Sequence, residues 1–268
     1  MSIFKKTLRR RIALGAALAL PIAALAVPAM ATHSWGGYHW ARTANPFTLK
    51  LGDNVDANWD SYLATTSSDW TASAVLNTVI VPGSTSPRRC AATPGMVQVC
   101  NSAYGNKGWL GIASISLTGT NHITQGTVKL NDTYFSTAQY NTPAWRNLVS
   151  CQEVGHTLGL DHQDEVFTNP NLLTCMDYSN DPSTNQHPNA HDYEQLATIY
   201  AHLDTTTTIS AQTAAAAPAD VGDGPESWGR PTHFDSLGRP NVYERQDGGG
   251  RKTVTHVFWA MGEGPRSR

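Results

Sequence analysis

The chain reads as an α+β domain, because strand-like segments come first, a helix with marked ends sits in the middle, and a second helix closes the main domain. "FTLKL" (47–51) and "AVLNTVIV" (74–81) are short apolar runs of strand length. Between them, "DANWDSYLATTSSDW" spaces Trp59, Tyr62 and Leu63 along one helix face. "GWLGIASISL" and "ITQGTVKLND" add strands, the second alternating Ile123, Val128 and Leu130 imperfectly around Gly126. Thr142-Pro143 is a helix start, with a hydroxyl at the N-cap and proline at the first helical position. That helix is expected to run to Gly159. A last helix starts near Asn189 and is expected to bury Leu196, Ile199, Tyr200 and Leu203.

The flanks carry different signals. Lys5, Lys6, Arg9, Arg10 and Arg11 precede an apolar run from Ile12 to Val27, and Ala29-Met30-Ala31 has the small residues a signal peptidase needs. Residues 1–31 are therefore expected to be an export signal, by the general or the twin-arginine route, leaving a secreted chain with no membrane span. The remainder has 14 basic and 21 acidic residues, net −7, which argues against nucleic acid as a partner. Residues 32–204 form the expected main domain. "TTTTISAQTAAAAPADVGDG" (205–224) is small and polar with no core pattern and reads as a linker. Residues 225–268 are a short tail, in which "NVYERQ" and "KTVTHVFWA" flank a Gly-rich turn as a hairpin would. Three fates are open to it: docking on the main domain, binding elsewhere, or remaining loose.

Four cysteines in an exported chain imply two disulfides, with three connectivities open. Cys90–Cys100 with Cys151–Cys175 is favoured, since the first closes a short loop around Pro94-Gly95 and the second ties the central helix to the segment around Met176. A reactive Cys151 thiol near His156 is the rival.

The central helix holds "CQEVGHTLGLDH" (151–162). Gln152 and His156 stand four apart and share a helix face, with Glu153 beside them. Gly159 is suited to ending the helix and turning the chain, which lets His162 swing back toward His156. Downstream, "LTCMDYSN" places Met176 and Tyr178. The joint pattern resembles the metzincin zinc endopeptidases, whose motif is H-E-x-x-H-x-x-G-x-x-H followed by a methionine turn. Glu153, His156, Gly159, His162 and Met176 match it, and Gln152 stands where the first histidine belongs. The resemblance spans roughly residues 75–204 and is strongest over 152–178.

It implies a metzincin-like fold with a twisted sheet, an active-site helix and a C-terminal helix. Zn²⁺ would sit on His156, His162 and Gln152, with Glu153 as general base, Met176 beneath the ligands and Tyr178 near the metal or the developing oxyanion. Asp161 and Asp164 could orient the histidines. His187, His191 and His202 read as surface or packing residues, and His33 and His39 as part of a flexible arm, with contact to the metal as the alternative. The expected activity is hydrolysis of a peptide or protein substrate by a monomer. The alternative is an inactive metzincin-like fold serving as an extracellular binding module. The retained Glu153 favours the enzyme, since a buried carboxylate with no chemical duty is costly.

Overall fold

The structure, a computed structural model, describes residues 32–119, 121–209 and 220–265. The expected export signal (1–31) and the middle of the expected linker (210–219) lie outside the described residues.

A twisted mixed sheet forms the frame. Its strands are β1 (His39–Trp40), β2 (Phe47–Asn54), β3 (Leu76–Pro82), β4 (Met96–Ser102), β5 (Trp109–Thr118), β6 (His122–Asn131), β7 (Arg230–Phe234), β8 (Pro240–Gly248) and β9 (Arg251–Trp259). They lie in the order β3-β2-β4-β6-β5-β9-β8-β7, with β1 pairing the start of β6. One half, β3-β2-β4-β6, is parallel. From β6 through β5, β9 and β8 to β7, every pairing is antiparallel. The helices are few: α1 (Asp60–Thr71), the short α2 (Asp132–Phe135), α3 (Pro143–Thr157), α4 (Ala190–Ile199) and the short α5 (Pro225–Trp228). This mixed architecture is compatible with the α+β class. Among the described residues, no helix is long and apolar enough to cross a membrane.

Local chemistry sets the helix ends. The Thr142 hydroxyl accepts from the Trp145 amide, Pro143 opens α3, and Asn189 with Asp192 forms a reciprocal cap on α4. α1 and α3 pack against each other, and α3 lies over β5 and β6. The main core fills that layer, with Trp40, Trp59, Trp70, Leu148, Val154 and Met176 all buried. Burying an apolar side chain of this size contributes about 1.5–3 kcal/mol, so this layer is the chief source of stability. A smaller cluster, including Trp109, Trp228, Val257 and Trp259, forms a second apolar group.

Two expectations change. Leu203 is 57% exposed, because α4 stops at Ile199 and the chain beyond it leaves the core. β4 had no expected counterpart; it lies between β2 and β6 and carries Cys100. The segment beyond residue 224 docks on the frame: β8 and β9 form the hairpin, and β9 pairs with β5 from Trp109 to Leu117. Both disulfides, Cys90–Cys100 and Cys151–Cys175, are present.

Candidate metal centre

Three glycines make room for the site. Gly111 of β5 faces α3, where an added Cβ would stand 2.7 Å from Glu153 Cγ and Oε1 and 2.6 Å from Val149. The bare strand at Gly111 is what lets Glu153 lie flat against the sheet. Gly155, between Glu153 and His156, gives space to Met176 Sδ and Trp70, each 2.7 Å from where its Cβ would be. Gly159 has φ +97°, and a Cβ there would meet the Tyr38 carbonyl at 2.0 Å. The chain turns at this point, and His162 returns to within 4.8 Å (ring centroids) of His156.

The third member of the group is His256 of β9. The ligand atoms of His156, His162 and His256 lie within 4.8 Å of one another, and all three residues are buried. Strand alternation explains its aim. Val254 and Phe258 belong to the main core and Val257 and Trp259 to the smaller cluster, so His256 shares the face toward α3. Its register opposite Ala113 of β5 sets it beside Glu153, with Nδ1 3.8 Å from Oε2.

Each imidazole has one nitrogen engaged and one free. His156 Nδ1 meets the Leu160 carbonyl at 2.9 Å, His162 Nδ1 meets Glu165 Oε1 at 2.9 Å, and His256 Nε2 meets the Tyr178 hydroxyl at 3.1 Å. The protons belong on those engaged nitrogens where the partner is a carbonyl or carboxylate. That leaves His156 Nε2, His162 Nε2 and His256 Nδ1 buried without a hydrogen-bond partner, and both Glu153 oxygens and Gln152 Oε1 are likewise unpartnered. A donor set of three imidazole nitrogens with a carboxylate alongside suits a first-row divalent cation. The residues therefore fit a metal ion.

The electrostatics agree with a dry interior. Burial pushes the Glu153 carboxyl well above its usual range, an effect that the nearby Ala113 backbone offsets only in part. Burial, then the neighbouring His162, holds His156 well below an ordinary histidine, and burial with His156 and His162 does the same to His256. Both imidazoles are thus neutral, as metal ligands must be. Burial opposes ionisation of Glu165, but His162, His233 and Asn241 together hold its carboxyl below the usual range. It stays an anion that accepts from His162.

The remaining expected residues fall as follows. Gln152 Nε2 donates to the Cys175 carbonyl at 2.7 Å, which fixes the amide and leaves Oε1 free. Tyr178 is buried, stacked on Phe167, with its hydroxyl shared by His256 Nε2 and, at 3.5 Å each, by the Val257 carbonyl and the Asn241 amide. Met176 is buried under Gly155. Cys151 is in a disulfide, so the reactive-thiol rival falls. The acceptor behind His162 is Glu165; Asp161 stands at 3.7 Å and Asp164 caps Val166 and Asn169 instead. His33 and His39 are buried rather than decorating an arm: His33 Nε2 bonds Asp192 at 3.1 Å, and His39 begins β1.

His256 was the residue that sequence reasoning missed. Two signals pointed to it: a site short of one histidine, and a histidine between Val254 and Phe258 on the apolar face of a strand.

No family model matches the sequence, and no curated protein matches it. Among solved structures, the chain is similar to myroilysin, at 14% identity and a TM-score of 0.36, over 60% of this chain and 82% of that one. A likeness at that level carries no functional argument.

Proposed function

We propose that the chain is an exported zinc endopeptidase that holds its ion on His156 Nε2, His162 Nε2 and His256 Nδ1 and uses Glu153 as general base. The observation behind this is the set of bare atoms in the interior: three imidazole nitrogens and two carboxylate oxygens with no partner. Leaving a buried polar atom unpaired costs about 1–3 kcal/mol, so a group this large calls for something that satisfies it together. Three nitrogen ligands with a neighbouring carboxylate match the pattern of a catalytic zinc site. A zinc ion so held would polarise a peptide carbonyl and acidify an adjacent water.

The chain's own groups then divide the work. Glu153, made more basic by burial, takes the water's proton as the oxygen attacks the carbonyl carbon, and delivers it to the departing amine as the C–N bond breaks. Glu165 and Leu160 hold His162 and His156 in the tautomer that frees Nε2. Tyr178 supports His256 through its Nε2, a positioning role in place of the oxyanion role that the resemblance implied. Gln152 Oε1, one turn from His156, is left free to serve as a further ligand. The two disulfides accord with an oxidising, extracellular setting.

Burial supports a second reading. Gln152, Glu153, His156 and His256 are all wholly shielded from solvent, and the Trp35 ring stands edge-on to His156 at 5.5 Å. A closed centre of this kind would suit a metal-stabilised binding module. Peptide hydrolysis by the secreted chain, measured alongside zinc content, separates the two. The enzyme reading expects one zinc at this centre, hydrolysis in the wild type, and loss of hydrolysis with zinc retained in Glu153→Ala. Zinc bound with no hydrolysis in the wild type would leave the binding module.

A further inference from the structure

We infer that the protein has a second cation site, built by His39, His122 and Asp204 with His202 at its edge, for a zinc-like divalent ion. The four residues come from separate parts of the chain: β1, the first residue of β6, and the segment leaving α4. Their ligand atoms converge. His39 Nε2 lies 3.1 Å from His202 Nε2, and His122 Nε2 lies 3.1 Å from Asp204 Oδ1. His39 and His202 Nε2 each lie 3.7 Å from the same Asp204 oxygen. In a tetrahedral zinc site with metal–nitrogen bonds near 2.05 Å, neighbouring ligand atoms are ~3.3 Å apart. The four separations bracket that value, and the ligand atoms of His39, His122 and Asp204 all lie within 4.8 Å of one another. The imidazole ring of His39 stands nearly perpendicular to those of both His122 and His202, at interplanar angles of 83° and 88°, rather than stacked on them.

The backbone and its neighbours already hold this set in place. His39 Nδ1 meets the Gly37 carbonyl at 2.9 Å, which assigns its proton there and turns the Nε2 lone pair inward. Asp204 is anchored from behind: Arg42 Nη1 donates to Oδ2 at 2.9 Å, as does the Arg42 amide at 3.2 Å, leaving Oδ1 for the histidines. The same guanidinium donates to the His202 carbonyl. Arg42 thus holds both Asp204 and the His202 backbone while its own charge is neutralised by the far oxygen of the carboxylate. Imidazole nitrogens and a carboxylate oxygen are the donors a zinc-like divalent ion takes. An ion there would clamp the segment that carries Trp35 to the end of α4.

The competing account is a hydrogen-bonded histidine–aspartate cluster that takes up no metal. Zinc stoichiometry decides between them. The full secreted chain is stripped with a strong chelator and titrated with zinc chloride against a chromophoric competitor, beside His122→Ala, His202→Ala and His256→Ala. His122 and His202 side chains are 28% and 53% exposed, so both truncations spare the core, and circular dichroism verifies their folding. The expected result is that His122→Ala and His202→Ala each bind one equivalent fewer than wild type, or bind that equivalent about 10²–10⁴-fold more weakly. His256→Ala reports separately on the interior centre, so failure there leaves the outcome at the second site readable. If both surface variants bind as much zinc as wild type, and as tightly, the site is a hydrogen-bonded cluster and the inference falls.

Discussion

The two histidine groups differ in what their ligand atoms do without an ion. In the interior centre each imidazole commits one nitrogen to a neighbour and leaves the other bare, beside a carboxylate with no partner. At the rim, the ligand atoms bond one another, His202 to His39 and His122 to Asp204, and Arg42 answers the charge. The interior set is therefore costly when empty and the rim set is nearly self-satisfied. Burial decides this: bare polar atoms cost little near water and about 1–3 kcal/mol each inside. Zinc added to the stripped protein should accordingly raise thermal stability chiefly through the interior centre.

The largest expected effect is at His256. His256→Ala should weaken the interior zinc about 10²–10⁴-fold, by the loss of one of three ligands, while His202→Ala leaves that equivalent unchanged. Competition titration reads both. Unchanged interior affinity in His256→Ala would return the third ligand position to Gln152.

Next comes the charge on Glu153. Because burial raises its pKa in the folded state, the zinc-free protein gains stability from it below pH 4.5 and loses that contribution as pH rises through the raised folded value. His156 and His256, depressed by burial, run the other way: their contribution is present above pH 6.5 and lost as pH falls through the folded values. Glu153→Gln removes only the first effect. Thermal melts of zinc-free protein should show Glu153→Gln more stable by roughly 1–3 kcal/mol at pH 7, about 2–4 °C per kcal/mol, and level with wild type near pH 4. Equal melting at both pH values would mean that Glu153 is already compensated.

Much of this was legible in sequence because it is local. Thr142-Pro143 announces α3, Asn189 announces α4, and Gly159 announces the turn that returns His162; each depends on residues within a few positions of itself. The unread parts depend on distant pairing. β4 reveals itself only through its parallel neighbours β2 and β6, and the fate of the tail's hairpin stays open until β9 is set against β5. His256 sits about a hundred residues from Glu153, and only the register opposite Ala113 brings it there. The rim cluster is less legible still, since His39, His122 and Asp204 meet only once β1 has joined β6 and α4 has ended.

Tyr178 tests how far the interior centre depends on its supports. Removing the hydroxyl leaves His256 Nε2 without its partner, and supports of this kind are typically worth 10–100-fold in metal affinity. Tyr178→Phe should lose zinc by that factor at the interior centre and nothing at the rim. A loss confined to hydrolysis, with zinc affinity intact, would instead restore Tyr178 to a role at the developing oxyanion.

The smallest effect belongs to Gln152, and it sharpens the contrast most. Its Nε2 is fixed by the Cys175 carbonyl, so its oxygen is held in place whether or not an ion is present. If three histidines already hold the metal, that oxygen adds a weak neutral donor at most. Gln152→Ala should then lower interior zinc affinity less than about tenfold, an effect near 1.4 kcal/mol or below. The hydrogen bond to Cys175 is lost in the same variant, so Gln152→Glu is the companion: it keeps one oxygen and adds charge. A carboxylate within reach of the ion should tighten zinc, whereas one out of reach would only bury a second acid beside Glu153 and destabilise the zinc-free fold. Tighter zinc in Gln152→Glu together with a large loss in Gln152→Ala would make Gln152 a ligand alongside His256, and the interior centre a four-ligand site.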